Sequence, residues 1–159
     1  VSETLLRSFA DYKATSEWIR SSVEGLTDEQ LSWKPSPDKW SVKEVVAHLV
    51  DSSLVHSVRI RKIVAEPNPS FVLYDQDAWV STAKSNEESI DRLLSALDSI
   101  LAYNVLYYGR LSEADWNRIG LNEGKEVPLY ELFESFVRHS RTHLAQIERT
   151  KAARIAAEG

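Results

Sequence analysis

The sequence predicts an all-α protein, a four-helix bundle with at least one crossover connection. Three observations carry that prediction. Four long stretches show a helical hydrophobic period, their lengths match one another, and one of the connections between them is far longer than the rest. At roughly 22 to 28 residues each, the four helices would be ~33 to 42 Å long at the helical rise.

The first helix is predicted from about Ser2 to Val23, with Leu5, Leu6, Phe9, Tyr12, Trp18 and Ile19 as its apolar members, and the Gly25-Leu26 step ends it. The second starts at Ser41, where Ser41-Val42-Lys43-Glu44 has the form of a capping box. It runs to about Ala65, before Pro67 and Pro69 forbid continuation. The third begins near Ser85 or Asn86 and extends to Tyr108, stopping at Gly109. The fourth has Pro128 in its first turn, where the missing N–H costs nothing, and continues to about Ala156. Between these, "LTDEQLSW" (26–33) and "LSEADW" (111–116) each read as a short capped helical turn ending in Trp, a faint internal echo of two similar halves. The long connection, "EPNPSFVLYDQDAWVSTAKS" (66–85), reads as a crossover loop with a job. Within it only "SFVLY" is compatible with an extended strand, and it lacks an evident pairing partner.

Composition narrows the function classes. With 159 residues, 43% of them hydrophobic, the chain is expected to form one domain over 1–159. It has no cysteine, which excludes disulfides, thiolate metal sites and a cysteine nucleophile; this fits a reducing compartment, and a cytoplasmic location is the expectation. A formal charge of -5 without a basic stripe argues against nucleic acid as a partner. No apolar run approaches the ~18 residues of a membrane-spanning helix.

The histidines are the distinctive chemistry. There are four, and two of them, His139 and His143, lie one turn apart in "VRHSRTHLAQIER" (137–149). With Phe136 set at zero and 100° added per residue, Leu129, Leu132, Phe133, Val137, Leu144 and Ile147 fall between about -40° and +100°. His143 lands at about -20°, inside that stripe, and His139 at about -60°, on its edge, so both imidazoles are expected to point toward the bundle. Spacing of i, i+4 stacks two imidazoles on one face, the geometry that lets both reach one metal. A pair of partly buried histidines satisfied by neighbouring hydroxyls explains the same spacing. Ser140, not Glu, follows the first histidine, so the metalloprotease helix motif is absent. On the second helix His48 sits at the edge of the core stripe and His56 nearer its middle. Eight residues, or ~12 Å, separate them, so the two cannot easily serve one metal together. Phase mildly favours His56 as the inward residue and does not choose between them.

"WSVKEVVAHLVDS" (40–52), "DQDAWV" (75–80) and "RHSRTHLAQI" (138–147) together resemble the DinB-like (YfiT-like) family over most of the chain. The resemblance implies a four-helix bundle in which one histidine of the second helix and two of the last bind a divalent metal. Carried onto this sequence those are His48, eight residues after Trp40, with His139 and His143, which leaves His56 as a pocket or core residue. One departure from the family pattern bears on function. Relatives often carry an acidic residue shortly after the first histidine, and here Asp51 is followed by Ser52 and Ser53. The resemblance therefore does not choose which carboxylate, if any, acts as a base.

Three imidazoles without a thiolate suit zinc or nickel best among divalent metals and leave a position open for water or substrate. Such a metal can activate water or a bound thiol. Together with the resemblance to a family some of whose members use low-molecular-weight thiols, this implies a metal-dependent hydrolase or thiol transferase acting on a small-molecule electrophile. Asp51 and Gln146 are the catalytic candidates, with Asp75 and Asp77 as further carboxylates, each a group that could orient the nucleophile or a ligand imidazole. Arg59 and Arg61 are candidates for holding an anionic substrate, although solvated charges on an exposed face explain each taken singly. Asp75, Asp77 and Trp79 equally read as loop caps and a packing anchor. The alternative class is a non-catalytic metal- or small-molecule-binding bundle or dimer scaffold. In that reading Trp18, Ile19, Leu106 and Tyr107 are candidates for a homodimer face, although core packing explains them as well.

Overall fold

A computed structural model describes residues 1–159. Its helices are α1 (Glu3–Val23), α2 (Asp28–Ser32), α3 (Val42–Ala65), α4 (Gln76–Ala83), α5 (Ile90–Tyr108), α6 (Glu113–Trp116) and α7 (Leu129–Glu158). The strands β1 (Ile119–Asn122) and β2 (Lys125–Pro128) precede α7.

Side-chain caps define most of the helix starts. Ser2 accepts from the Leu5 N–H, and Ser41 and Glu44 close the expected capping box at α3. The two short turns that end in Trp form as α2 and α6, each opened by its own capping box from Thr27 and Ser112. The third long helix starts later than expected. Ser85–Glu87 forms a separate 3-10 turn, and α5 begins only after Ser89. Pro128 stands immediately before α7 rather than inside it.

Helix directions follow from which residues meet. Tyr12 packs against Tyr108 and Arg20 pairs with Asp98, so α1 and α5 run antiparallel. Phe9 meets Phe133 while Ser22 meets Glu148, so α1 and α7 run parallel. His48 meets His143 while His56 meets Phe136, so α3 and α7 run antiparallel. The crossover returns the chain to the start of α3, where Ser41 bonds Asn86, and α5 then runs parallel to α3. The core between the four long helices includes Tyr12, Ile19, Val45, Leu49, Ile60, Leu97, Leu129, Phe133 and Ile147, none more than 2% exposed. Burial of that apolar surface is the main stabilising term, at roughly 25 cal/mol per Å2 removed from water.

Two departures from the all-helical expectation lie at one end of the bundle. β1 and β2 form an antiparallel hairpin, and the "SFVLY" segment has a partner after all. Ser70 bridges Leu121, with the Phe71 N–H donating to the Leu121 carbonyl and the Leu121 N–H donating to the Pro69 carbonyl. Two residues with positive φ, Glu123 at 50° and Gly124 at 84°, turn the hairpin, the backbone that right-handed strand twist favours in a two-residue loop. The connection 66–85 is also not all loop, because Asp75 caps α4 through the Ala78 N–H and Val80 is buried.

Gly120 lets the hairpin approach α3 and the crossover. A Cβ there would stand 2.6 Å from both Ile63 Cδ1 and Phe71 Cε1. Gly120→Ala is expected to destabilise the protein by about 1–3 kcal/mol through overpacking. Chemical denaturation monitored by far-UV circular dichroism checks this; an unchanged midpoint would mean that the hairpin is not packed on Ile63.

Candidate metal centre

The antiparallel seam between α3 and α7 brings three of the four histidines together. The His48 and His143 ring centroids are 4.6 Å apart, those of His139 and His143 4.6 Å, and those of His48 and His139 6.4 Å. One nitrogen from each ring lies within 4.8 Å of the other two. The stacking expected of His139 and His143 is present, because successive turns of α7 place both rings on the α3 side. Their depth differs, however. His143 is buried, as expected, whereas His139 is exposed and forms the solvent side of the cluster.

The second-helix histidine that joins them is His48, against the mild preference of helical phase for His56. His48 is 1% exposed and packs beneath Trp40, whose ring lies 4.9 Å from it and 6.3 Å, nearly parallel, from His143. His56 sits two turns further along α3 against Phe136, at 4.5 Å. In the sequence Trp40 is a spacing marker only; its tilted contact with His48 and its near-parallel one with His143 make it the wall of the site.

Hydrogen bonding separates the roles of the three rings. His143 Nδ1 donates to Gln146 Oε1 at 2.9 Å, which leaves His143 Nε2 with its lone pair, 3.0 Å from His139 Nε2. Two ring nitrogens this close need a proton or a cation between them. Both nitrogens of His48 are enclosed with no hydrogen-bond partner. A buried polar group left unmatched costs ~1–3 kcal/mol, and a neutral imidazole beside two others is matched by a metal ion. The donor set therefore fits a divalent cation.

Electrostatics agree with neutral, ligating imidazoles. Burial pushes His48 down to about 4, with His143 and His139 adding like-charge repulsion. Burial also lowers His143, partly offset by its bond to Gln146. His56 is pushed down to about 3, by burial first and then by the charge of Arg59.

The other candidates divide. Asp51 is half-buried one turn beyond His48, makes no hydrogen bond, and its carboxyl is raised by burial. Gln146 touches His143 directly. Arg59 is not free for a substrate, because its Nε and Nη2 both donate to the Val72 carbonyl and its guanidinium lies over Phe71. Arg61 bonds Ser57 and Asn104 and stacks on Tyr103 and Tyr107, which assigns it to the α3–α5 packing. Asp75 caps α4, Asp77 stands in its exposed first turn, and Trp79 packs on Tyr74. Of the four residues named for a dimer face, Ile19 is core and Leu106 is exposed. Tyr74 was not singled out in the sequence. It is half-buried close enough to Asp51 and Arg59 to feel both charges, and only the fold of the crossover brings it there.

Comparison with known proteins gives consistent likenesses. Residues 12–147 match the family model described as the DinB superfamily. A "putative metal-dependent hydrolase" of Geobacillus kaustophilus is 33% identical over 131 residues, covering 81% of this chain and 74% of that protein. A protein of the same printed name from Geobacillus thermodenitrificans is 30% identical over the same shares. Among solved structures, YfiT from Bacillus subtilis, titled "a probable metal-dependent hydrolase with an unusual four-helix bundle topology", matches with a TM-score of 0.87 at 22% identity. That match covers 94% of this chain and 87% of that one. A mycothiol-dependent maleylpyruvate isomerase matches with a TM-score of 0.71 at 12% identity, over 89% of this chain and 59% of that one. At these identities both structures show a shared fold.

The depressed imidazoles have a consequence for stability. A histidine with a lowered folded-state value stabilises the fold above the unfolded value of about 6.5 and loses that contribution as pH falls through the folded value. With a chelator present, the unfolding temperature is expected to fall as pH drops from about 6.5 toward 4 and then 3, the window set by His48 and His56. Raised Asp51 acts in the opposite sense, stabilising at low pH and less as its carboxyl ionises. Calorimetry of the wild type and His56→Phe across this range checks the assignment: the variant should show a shallower slope, and parallel curves would contradict a His56 kept neutral by its surroundings.

Proposed function

The chain belongs to the DinB superfamily, and on that basis we propose that it is a metal-dependent enzyme whose divalent ion is held by His48, His139 and His143. One observation carries the reading: His48, buried beneath Trp40, has both ring nitrogens unpartnered and its ring against His143. Zinc or nickel suits three imidazoles with no thiolate. When bound, such an ion would lower the pKa of a coordinated water or thiol toward neutrality.

The chain's own residues supply the rest. His48 and Trp40 close the inner side of the site, and exposed His139 leaves its outer side open to a small molecule. Gln146 fixes His143 as the tautomer that points Nε2 into the cluster, and so acts as a positioning residue. Asp51, half-buried beside the site with its carboxyl raised by burial, is the proposed proton acceptor for the attacking water or thiol. The relatives' names favour hydrolysis, and the mycothiol-dependent neighbour favours a thiol as nucleophile or co-substrate. Substrates are small electrophiles on either route.

Assays of the zinc- and nickel-loaded protein on activated esters and on transfer of low-molecular-weight thiols to aryl halides test this. Asp51→Asn is expected to keep its metal and lose about 100- to 10,000-fold in rate, the range for a general base. An Asp51→Asn variant as fast as the wild type would remove Asp51 from the mechanism. Loaded protein inactive on every ester and thiol acceptor would favour the non-catalytic binding role.

A further inference from the structure

All four histidines of the chain lie on the α3–α7 seam, and the proposed metal site accounts for only three. The fourth, His56, repeats the condition that marks His48: an enclosed ring nitrogen, Nδ1, has no hydrogen-bond partner. The polar side chains around it are committed elsewhere. Ser52 and Ser53 donate to the Leu49 carbonyl, Ser140 donates to the Phe136 carbonyl, and Arg59 is fastened to the Val72 carbonyl. A second metal does not explain His56, because the only cluster of three potential ligands is the one already described. Nor does the first, since eight residues of α3 put His56 ~12 Å further along the helix axis than His48.

His56 is nevertheless within reach of a molecule bound at that site. Its ring packs on Phe136, which lies three residues, less than one turn, before His139 on α7. The residue is only half-buried, and of its two ring nitrogens Nδ1 is enclosed whereas Nε2 is neither enclosed nor hydrogen-bonded, so Nε2 is the atom a ligand can reach. Burial keeps it neutral, which gives it one N–H donor and one acceptor. The positive charge of Arg59 acts on the same spot and favours an anionic acceptor.

Resting on the three-histidine reading, we infer that His56 is a specificity residue of that site, donating a hydrogen bond to a carboxylate of an elongated ligand whose other end reaches the metal position, with Phe136 beneath its middle. The site so read selects an amino-acid- or peptide-like carboxylate ligand over a small uncharged one.

The test uses the full chain loaded with cobalt(II), and two thiol probes: glutathione, which carries carboxylates, and 2-mercaptoethanol, which carries none. Binding is read from thiolate-to-cobalt absorption, and metal content from elemental analysis. His56→Leu is expected to keep its cobalt, weaken glutathione about tenfold and change 2-mercaptoethanol less than about twofold, the loss of one hydrogen bond to a charged group. His56→Gln, which restores a donor near Nε2, should recover most of the glutathione affinity. Glutathione binding unchanged in His56→Leu, or both thiols weakened equally, or no recovery in His56→Gln, overturns the assignment of His56 while leaving the metal site standing. A wild type that takes up no cobalt sinks the three-histidine site itself, and the His56 assignment with it.

Discussion

The molecule is organised around one uncomfortable contact, the burial of His48 against His143 where α3 crosses α7. Imidazoles are poor partners for one another when both present lone pairs, and His48 has no hydroxyl, amide or carbonyl within hydrogen-bonding reach. Ordinary packing fills such a position with Leu or Val at no polar cost. A buried, unmatched imidazole in a seam otherwise lined by well-packed apolar residues is tolerated where something outside the chain completes it.

The remaining architecture serves to hold that contact open on one side. α7 is the longest helix, and its antiparallel run along α3 sets which residues face each other, 143 opposite 48 and 136 opposite 56. The capping box at Ser41 and buried Lys43, paired with Asp28, fix the start of α3 just ahead of His48. Arg59 fastens the crossover to the same helix, and the hairpin packs on Phe71 from above through Gly120. Asp51, one turn beyond His48, and Tyr74 thus come to share a half-buried corner. The interior between α1, α5 and α7 is filled by Tyr12, Tyr108 and Phe133 in tilted and edge-on contact, and the buried Asn104 joins Tyr12, Ser57 and Arg61 through its amide.

Much of this was legible in the sequence because local signals and global fold agree. Helical periodicity, the Ser41 box, the two short Trp-terminated turns and the proline stops all act within a few residues of where they are read. The bundle was accordingly clear, and so was the stacked His139–His143 pair. The choice between His48 and His56 was not, since helical phase reports distance from the core and not which neighbouring helix a ring meets. Family resemblance pointed to His48, and the fold places that ring in the cluster. The hairpin was missed because its strands are four residues each and pair with one another and with a crossover segment some fifty residues earlier. Asn122-Glu123-Gly124 was the available signal, a tight turn between short extended runs. The roles of Arg59 and Arg61 were illegible for the same reason: their partners, Val72 and Asn104, are brought to them only by the crossover and by α5.

The central claim is that the fold assembles three particular imidazoles around one divalent ion. X-ray absorption at the metal edge, on chelator-stripped protein reloaded with one equivalent of zinc and compared with the His48→Ala and His56→Ala variants, measures this most directly. The account predicts three imidazole nitrogens at about 2.0–2.1 Å in the wild type and in His56→Ala, and a lost or reduced imidazole shell in His48→Ala. A wild-type ion with fewer than three imidazoles, or one that keeps its shell without His48 and loses it without His56, would contradict the account.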